Sequence, residues 1–109
     1  MDIVYYYNRQ LKRAPVKQFL VRYDLRPKDT ARIRDRKVKV LAFIDQAIQV
    51  IAEHKGKHVP PMAKTIRGYK FHELRVKEGN KLIRILYFAY HKEKMILLNA
   101  FEKPELYQK

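Results

Sequence analysis

Gly79-Asn80 lies between two runs of alternating apolar and charged residues, and no other pair in the chain constrains the fold as strongly. Glycine at the first central position of a two-residue loop suits a type II′ turn, whose twist matches that of the strands it joins. With these two residues as the loop, Glu78 faces Lys81, Val76 faces Ile83 and Leu74 faces Ile85. One face of the hairpin is then apolar. On the other, Arg75 faces Arg84, with Glu73 two residues along. Like charges directly opposite one another cost a ladder about 0.2–1 kcal/mol. A sheet carrying such a pair either neutralises it internally or offers it to an anion.

The hairpin extends into a third strand. With Lys92-Glu93 as the central residues of a second turn, Phe88 faces Leu97, Leu86 faces Asn99 and Arg84 faces Phe101. Asn99, Phe101 and Lys103 then share the side of Arg75 and Arg84, and Phe71, Leu86 and Phe88 make its other end aromatic and apolar. His72 shares the Leu74 face opposite Tyr87 and reads as a packed core histidine. Upstream, Ile3–Tyr7 is β-branched and aromatic and predicts a short first strand. Val16, Phe19, Leu20 and Tyr23 fall at helical spacing behind Pro15, a favoured first helical residue. A longer helix is expected from about Lys28 to His54, with a stripe of Ile33, Val40, Leu41, Ile44, Ile48 and Ile51 widened by Phe43, Ala47 and Val50. Its first half carries Arg32, Arg34, Arg36, Lys37 and Lys39, a run that reads first as a solvated face and second as an auxiliary contact surface. The expected fold is α+β: an N-terminal strand, then two helices packed on one face of an antiparallel sheet that contains a three-strand meander.

The 109 residues suffice for one domain spanning residues 1–109 with its own core. No cysteine is present, which removes disulfides, thiolate metal sites and a cysteine nucleophile from consideration. His54, His58, His72 and His91 have no zinc-motif spacing, and no phosphate-binding glycine loop occurs. Neither metal nor cofactor is expected. No long apolar run suggests a signal peptide or membrane span, so the reading is a cytoplasmic protein with no membrane partner. Charge is the strongest compositional fact: 25 Lys+Arg against 11 Asp+Glu give +14. That excess favours a polyanionic partner. The Arg75/Arg84 side of the sheet could hold phosphates on its guanidinium groups, stack unpaired bases on its rings, and stabilise charge developing on phosphorus. Glu73, beside two arginines, should stay ionised and is most simply their structural neighbour.

Several segments in order carry a family resemblance: Pro61-Met62-Ala63-Lys64, Gly68-Tyr69, Phe71-His72-Glu73-Leu74-Arg75-Val76, Arg84-Ile85-Leu86-Tyr87-Phe88, and Leu97 through Lys103. Together with the strand–helix–helix–three-strand order, they resemble the RelE/HigB superfamily, the toxins of bacterial type II toxin–antitoxin systems, and in particular its phage-derived HigB-like branch. The resemblance implies a ribosome-dependent endoribonuclease that cuts messenger RNA in the A site without metal, using the RNA's own 2′-hydroxyl. By position it implies catalytic roles for Arg75, Arg84, Lys103 and Tyr107, with RNA contacts from Lys64, Lys70, Glu73, Lys77, Asn99 and Phe101. It further implies a helix-turn-helix antitoxin as partner and a toxin–antitoxin complex on operator DNA. A ParE-like gyrase inhibitor and a basic nucleic-acid-binding module without catalysis are the competing readings.

Overall fold

The computed structural model describes residues 2–54, 63–65, 71–79, 81–90 and 93–104, and for 63–65, 78, 81, 103 and 104 it describes the backbone alone. Along the chain the elements are β1 (Asp2–Tyr5), α1 (Pro15–Leu20) with a 3₁₀ turn at Val21–Tyr23, α2 (Ala31–Glu53), β2 (Ala63–Thr65), β3 (His72–Glu78), β4 (Lys81–Tyr90) and β5 (Lys94–Pro104). Among the described residues the strands form one five-stranded sheet in the order β1-β5-β4-β3-β2. The meander β3-β4-β5 is antiparallel throughout, as the turns require. The sheet as a whole is mixed, because β1 joins β5 in parallel after the chain has crossed over through the helices. The expected strand order contains no element at Ala63–Thr65, which forms β2 and pairs with β3 from His72 to Leu74.

The first hairpin has the register expected of it. Glu78 pairs with Lys81, Val76 with Ile83, Arg75 with Arg84 and His72 with Tyr87. Gly79 sits at φ +58°, where a side chain would be strained, which is why glycine opens this turn. The second hairpin differs. Tyr90 pairs with Lys94 and Phe88 with Ile96, so the connection is three residues long and Phe88 does not face Leu97. A β-bulge between Leu86 and Tyr87 then leaves Leu98 as the extra residue, after which Leu86 faces Asn99 and Arg84 faces Phe101 as expected. The reason is packing. Met95 and Leu97 are fully buried beside Tyr87, while Ala100 packs against the same core from below the bulge. An uninterrupted two-residue period could not bury both sets.

Both helices cover the face that holds Leu74, Val76, Ile83, Ile85, Tyr87, Met95 and Leu97, α1 lying over β5 and α2 over β3. Val16, Phe19 and Tyr23 face the sheet from α1 and its 3₁₀ turn, and Val40, Ile44, Ala47, Ile48 and Ile51 face it from α2. The long helix starts at Ala31, not Lys28, because Thr30 caps it: its hydroxyl accepts from the Ile33 amide at 3.2 Å. Ile33 and Phe43, expected in the buried stripe, are 42% and 52% exposed. At 1.5 Å per residue α2 is about 34 Å long, whereas the seven residues of β3 span about 23 Å. Its buried residues begin at Val40, so Ile33 lies on a turn ahead of the packed part of the helix. Phe43 lies on the flank of the stripe instead. Among the described residues no helix is long and apolar enough to cross a membrane.

Tyr87 is the largest fully buried side chain, its ring stacked on His72 with centroids 5.3 Å apart. Among the described residues its hydroxyl has no hydrogen-bond partner, and burial pushes its pKa up to about 12. Leaving a buried hydroxyl unpaired is costly, so Tyr87→Phe should raise stability by about 1 kcal/mol at neutral pH. The phenol stays protonated in the fold while the unfolded chain ionises near its ordinary value of 10.0. Stability should therefore fall as pH rises from 10 toward 12, and less so in the variant. Urea midpoints at neutral and alkaline pH check both parts; a Tyr87→Phe midpoint below the parent's at neutral pH would show that the hydroxyl is bonded.

Candidate functional site

The sheet face turned away from the helices carries the charged half of the hairpin. Across it the ladder makes rows: Glu73, Leu86 and Asn99; Arg75, Arg84 and Phe101; then Lys77 and Leu82. At one end Phe71 and Phe88 meet with ring centroids 6.3 Å apart, the aromatic end expected from the sequence.

Glu73 settles how the facing arginines are tolerated. Its carboxylate Oε1 accepts from Arg75 Nε at 2.9 Å and lies 3.6 Å from Arg84 Nε. Glu73 is itself only 5% exposed, so one buried anion ties both guanidinium groups from below. Two cations and one anion leave the triad with one net positive charge. The arginine side chains remain 31% and 17% exposed, open enough to meet an anion from outside. A pair of guanidinium groups fixed in this way can grip a phosphate without first paying to order itself.

Among the other residues singled out by sequence, Phe101 is exposed directly opposite Arg84. Asn99 is exposed, with its side-chain oxygen accepting from the Ala100 amide at 2.9 Å, and it lines a separate groove with Arg13, Gln18 and Arg22 of the α1 side. Lys77 is exposed at the opposite edge, beside α2. The ladder sets Lys64 opposite Glu73 and Lys103 opposite Leu82, with their side chains outside the described residues. Lys70 and Tyr107 lie wholly outside them. Among the described residues no three His, Asp or Glu side chains converge as a metal cage would require.

The basic run of α2 divides in two. Lys37 donates to Asp29 Oδ2 at 2.7 Å and to the Asp24 carbonyl at 2.9 Å, and Arg34 reaches the Arg26 carbonyl at 3.5 Å. These two fasten the loop before the helix, and the Lys37 ammonium holds the Asp29 carboxyl below its usual range. Arg32, Arg36 and Lys39 face elsewhere, into a groove of about 630 Å³ shared with Lys77 and Phe43. Reading the run as a single solvated face missed this split. The signal was present in the spacing: 32, 36, 39 and 43 recur at i, i+4, i+7 and i+11, one side of a helix.

No curated protein matches the chain. The family model described as phage derived protein Gp49-like (DUF891) matches residues 24–109, which takes in α2, the whole meander and the Glu73–Arg75–Arg84 triad. A match over that much of the chain makes this protein a member of the phage-derived Gp49-like family.

Proposed function

We propose that this protein is the toxin of a toxin–antitoxin pair and an endoribonuclease that cuts messenger RNA held in the ribosomal A site. The observation that carries the reading is the Arg75–Arg84 pair, tied from beneath by the buried Glu73 carboxylate and set beside exposed Phe101 on the face left open by the helices. RNA supplies its own nucleophile. The 2′-hydroxyl attacks the adjacent phosphorus, the P–O5′ bond breaks, the departing 5′-oxygen takes up a proton, and a 2′,3′-cyclic phosphate remains. What the protein must add is fixed positive charge around the crowded phosphorus and a route for two protons. Arg75 and Arg84 meet the first need, Glu73 acts as their positioning residue, and the family resemblance assigns Lys103 and Tyr107 to the second. Lys64, Lys70, Lys77, Asn99 and Phe101 would hold the strand on either side. The same resemblance supports a helix-turn-helix antitoxin as partner, operator DNA bound by the pair together, and a cytoplasmic location beside the ribosome.

The test is cleavage of a defined message by purified protein on programmed ribosomes with a chelator present. Cuts in the A-site codon that leave cyclic phosphate ends are expected. An intact message, with gyrase–DNA adducts accumulating in a parallel assay, would transfer the protein to the gyrase-inhibitor reading.

A further inference from the structure

Of the groove between α2 and the edge of β3, the site just described uses Lys77 and leaves the helix side unassigned. Arg32, Arg36 and Lys39 line it from the helix and Lys77 from the strand, with Asp35 the one acid among the described residues that line it. At 1.5 Å per residue, the row from Arg32 to Phe43 extends about 16 Å along the helix axis. Val40 forms its floor and is almost completely buried, whereas the Phe43 ring stands 52% exposed. A second, smaller hollow of about 250 Å³ shares Phe43 and Lys77 with the first and is lined in addition by Arg75. The two hollows thus make one track, running from the helix cations over Phe43 to an arginine of the candidate site.

We propose that this track binds the single strand of RNA flanking the phosphate held at Arg75 and Arg84, with a base stacked on Phe43 and the backbone passing Lys77, Lys39, Arg36 and Arg32. The inference rests on the RNA reading of that face. Each nucleotide brings one negative charge and one flat apolar surface, and the track offers cations along both walls with one open ring between them. An amphipathic acidic peptide fits it less well. Such a helix needs several apolar anchors at i, i+3, i+4 and i+7. Here Val40, Ala47 and Val76 are already buried, which leaves Phe43 as the apolar side chain that reaches solvent among the described residues lining the track.

The chain contains no tryptophan, so Phe43→Trp places a lone fluorescent reporter in the track. Titration with oligouridylate should quench it saturably, and Phe43→Ala should weaken binding of a labelled oligonucleotide about tenfold, the scale of one lost base stack. Arg36→Glu with Lys39→Glu should remove the quench and flatten the slope of log affinity against log salt by about 1.4, two contacts at about 0.7 each. Arg75→Ala should retain most of the quench, since the track extends well beyond it. Should the double variant melt below the parent, Arg36→Gln with Lys39→Gln gives the same comparison with half the charge change. Quenching by polyglutamate but not oligouridylate would overturn the proposal in favour of a peptide groove, and no response to either would overturn it outright. Cleavage on ribosomes is scored separately. A protein that fails to cleave yet shows the saturable quench loses the nuclease reading and keeps the track; one that cleaves without the quench does the reverse.

Discussion

Arg75→Ala and Arg84→Ala should each lower cleavage of ribosome-held message by about 10²–10³-fold, the usual cost of removing one fixed donor from a developing anion. The effect is large because nothing else described on this face supplies positive charge at the same point: Lys77 lies one row away at the edge, and Phe101 carries no charge. Repulsion between facing cations alone would make either substitution neutral or stabilising. Glu73 reverses that expectation. The 2.9 Å bond from Arg75 Nε to the Glu73 carboxylate is charge-assisted and partly buried, so Arg75→Ala should cost about 1–2 kcal/mol. Arg84 stands 3.6 Å from the same oxygen, and its loss should cost less. Melting curves establish that both variants are folded at the assay temperature, after which single-turnover cleavage is compared with the parent. Parental rates in two folded variants would remove this face from the chemistry.

The second large effect is one of stability. Glu73→Ala takes the anion from between two guanidinium groups on adjoining strands and should cost about 2 kcal/mol. That is below the 3–5 kcal/mol typical of breaking a fully buried pair, because both arginines keep some contact with water. The loss carries a signature that a simple packing defect lacks. Added salt screens the exposed cations from each other, with a Debye length of about 3 Å at 1 M against about 10 Å at 0.1 M. The gap between variant and parent should therefore narrow as salt rises. Glu73→Gln, which keeps an oxygen able to accept from Arg75, should fall between the two. Urea denaturation at low and high salt decides it: a deficit that salt leaves untouched would mean that Glu73 matters for its shape and not its charge.

Much of this was legible in the chain, for identifiable reasons. The first hairpin was readable because Gly79-Asn80 fixes where the strands turn, and counting outward from a two-residue loop leaves one register. That register placed Arg75 against Arg84 and posed the choice between internal neutralisation and an external anion. Sequence could not decide it, since the answer lay in a side-chain rotamer: Glu73 folds back two residues along its own strand and stays buried. The second hairpin was harder because Lys92-Glu93 has no glycine to mark the loop. Its signal lay downstream, in Met95-Ile96-Leu97-Leu98, four apolar residues in a row where a half-buried strand should alternate. A break in that period announces a bulge. Ile33 was misplaced because periodicity reports direction around a helix and says nothing of where along it packing begins, and Phe43 because the spacing does not say how wide the buried stripe is. The meeting of Phe43 on α2 with Arg75 and Lys77 on β3, and hence the join between the two hollows, is a tertiary fact that no local pattern carries.

The bulge at Leu98 and the tip of the second hairpin act as expansion joints in β5. A third residue in the 91–93 connection shifts the phase of β5 by one, and Leu98 shifts it back. Between the two sites the altered phase puts Met95 and Leu97 under the helices; beyond the second it returns Phe101 to Arg84 and Ala100 to the core. Neither site takes part in a ladder pair, so loss of Leu98 or of one connecting residue leaves Tyr90 facing Lys94, Tyr87 facing Leu97 and Arg84 facing Phe101. Single-residue deletions among descendants of this sequence should thus be tolerated at the tip and at the bulge, and purged from the ladder of β3 and β4, where no unpaired residue can absorb them.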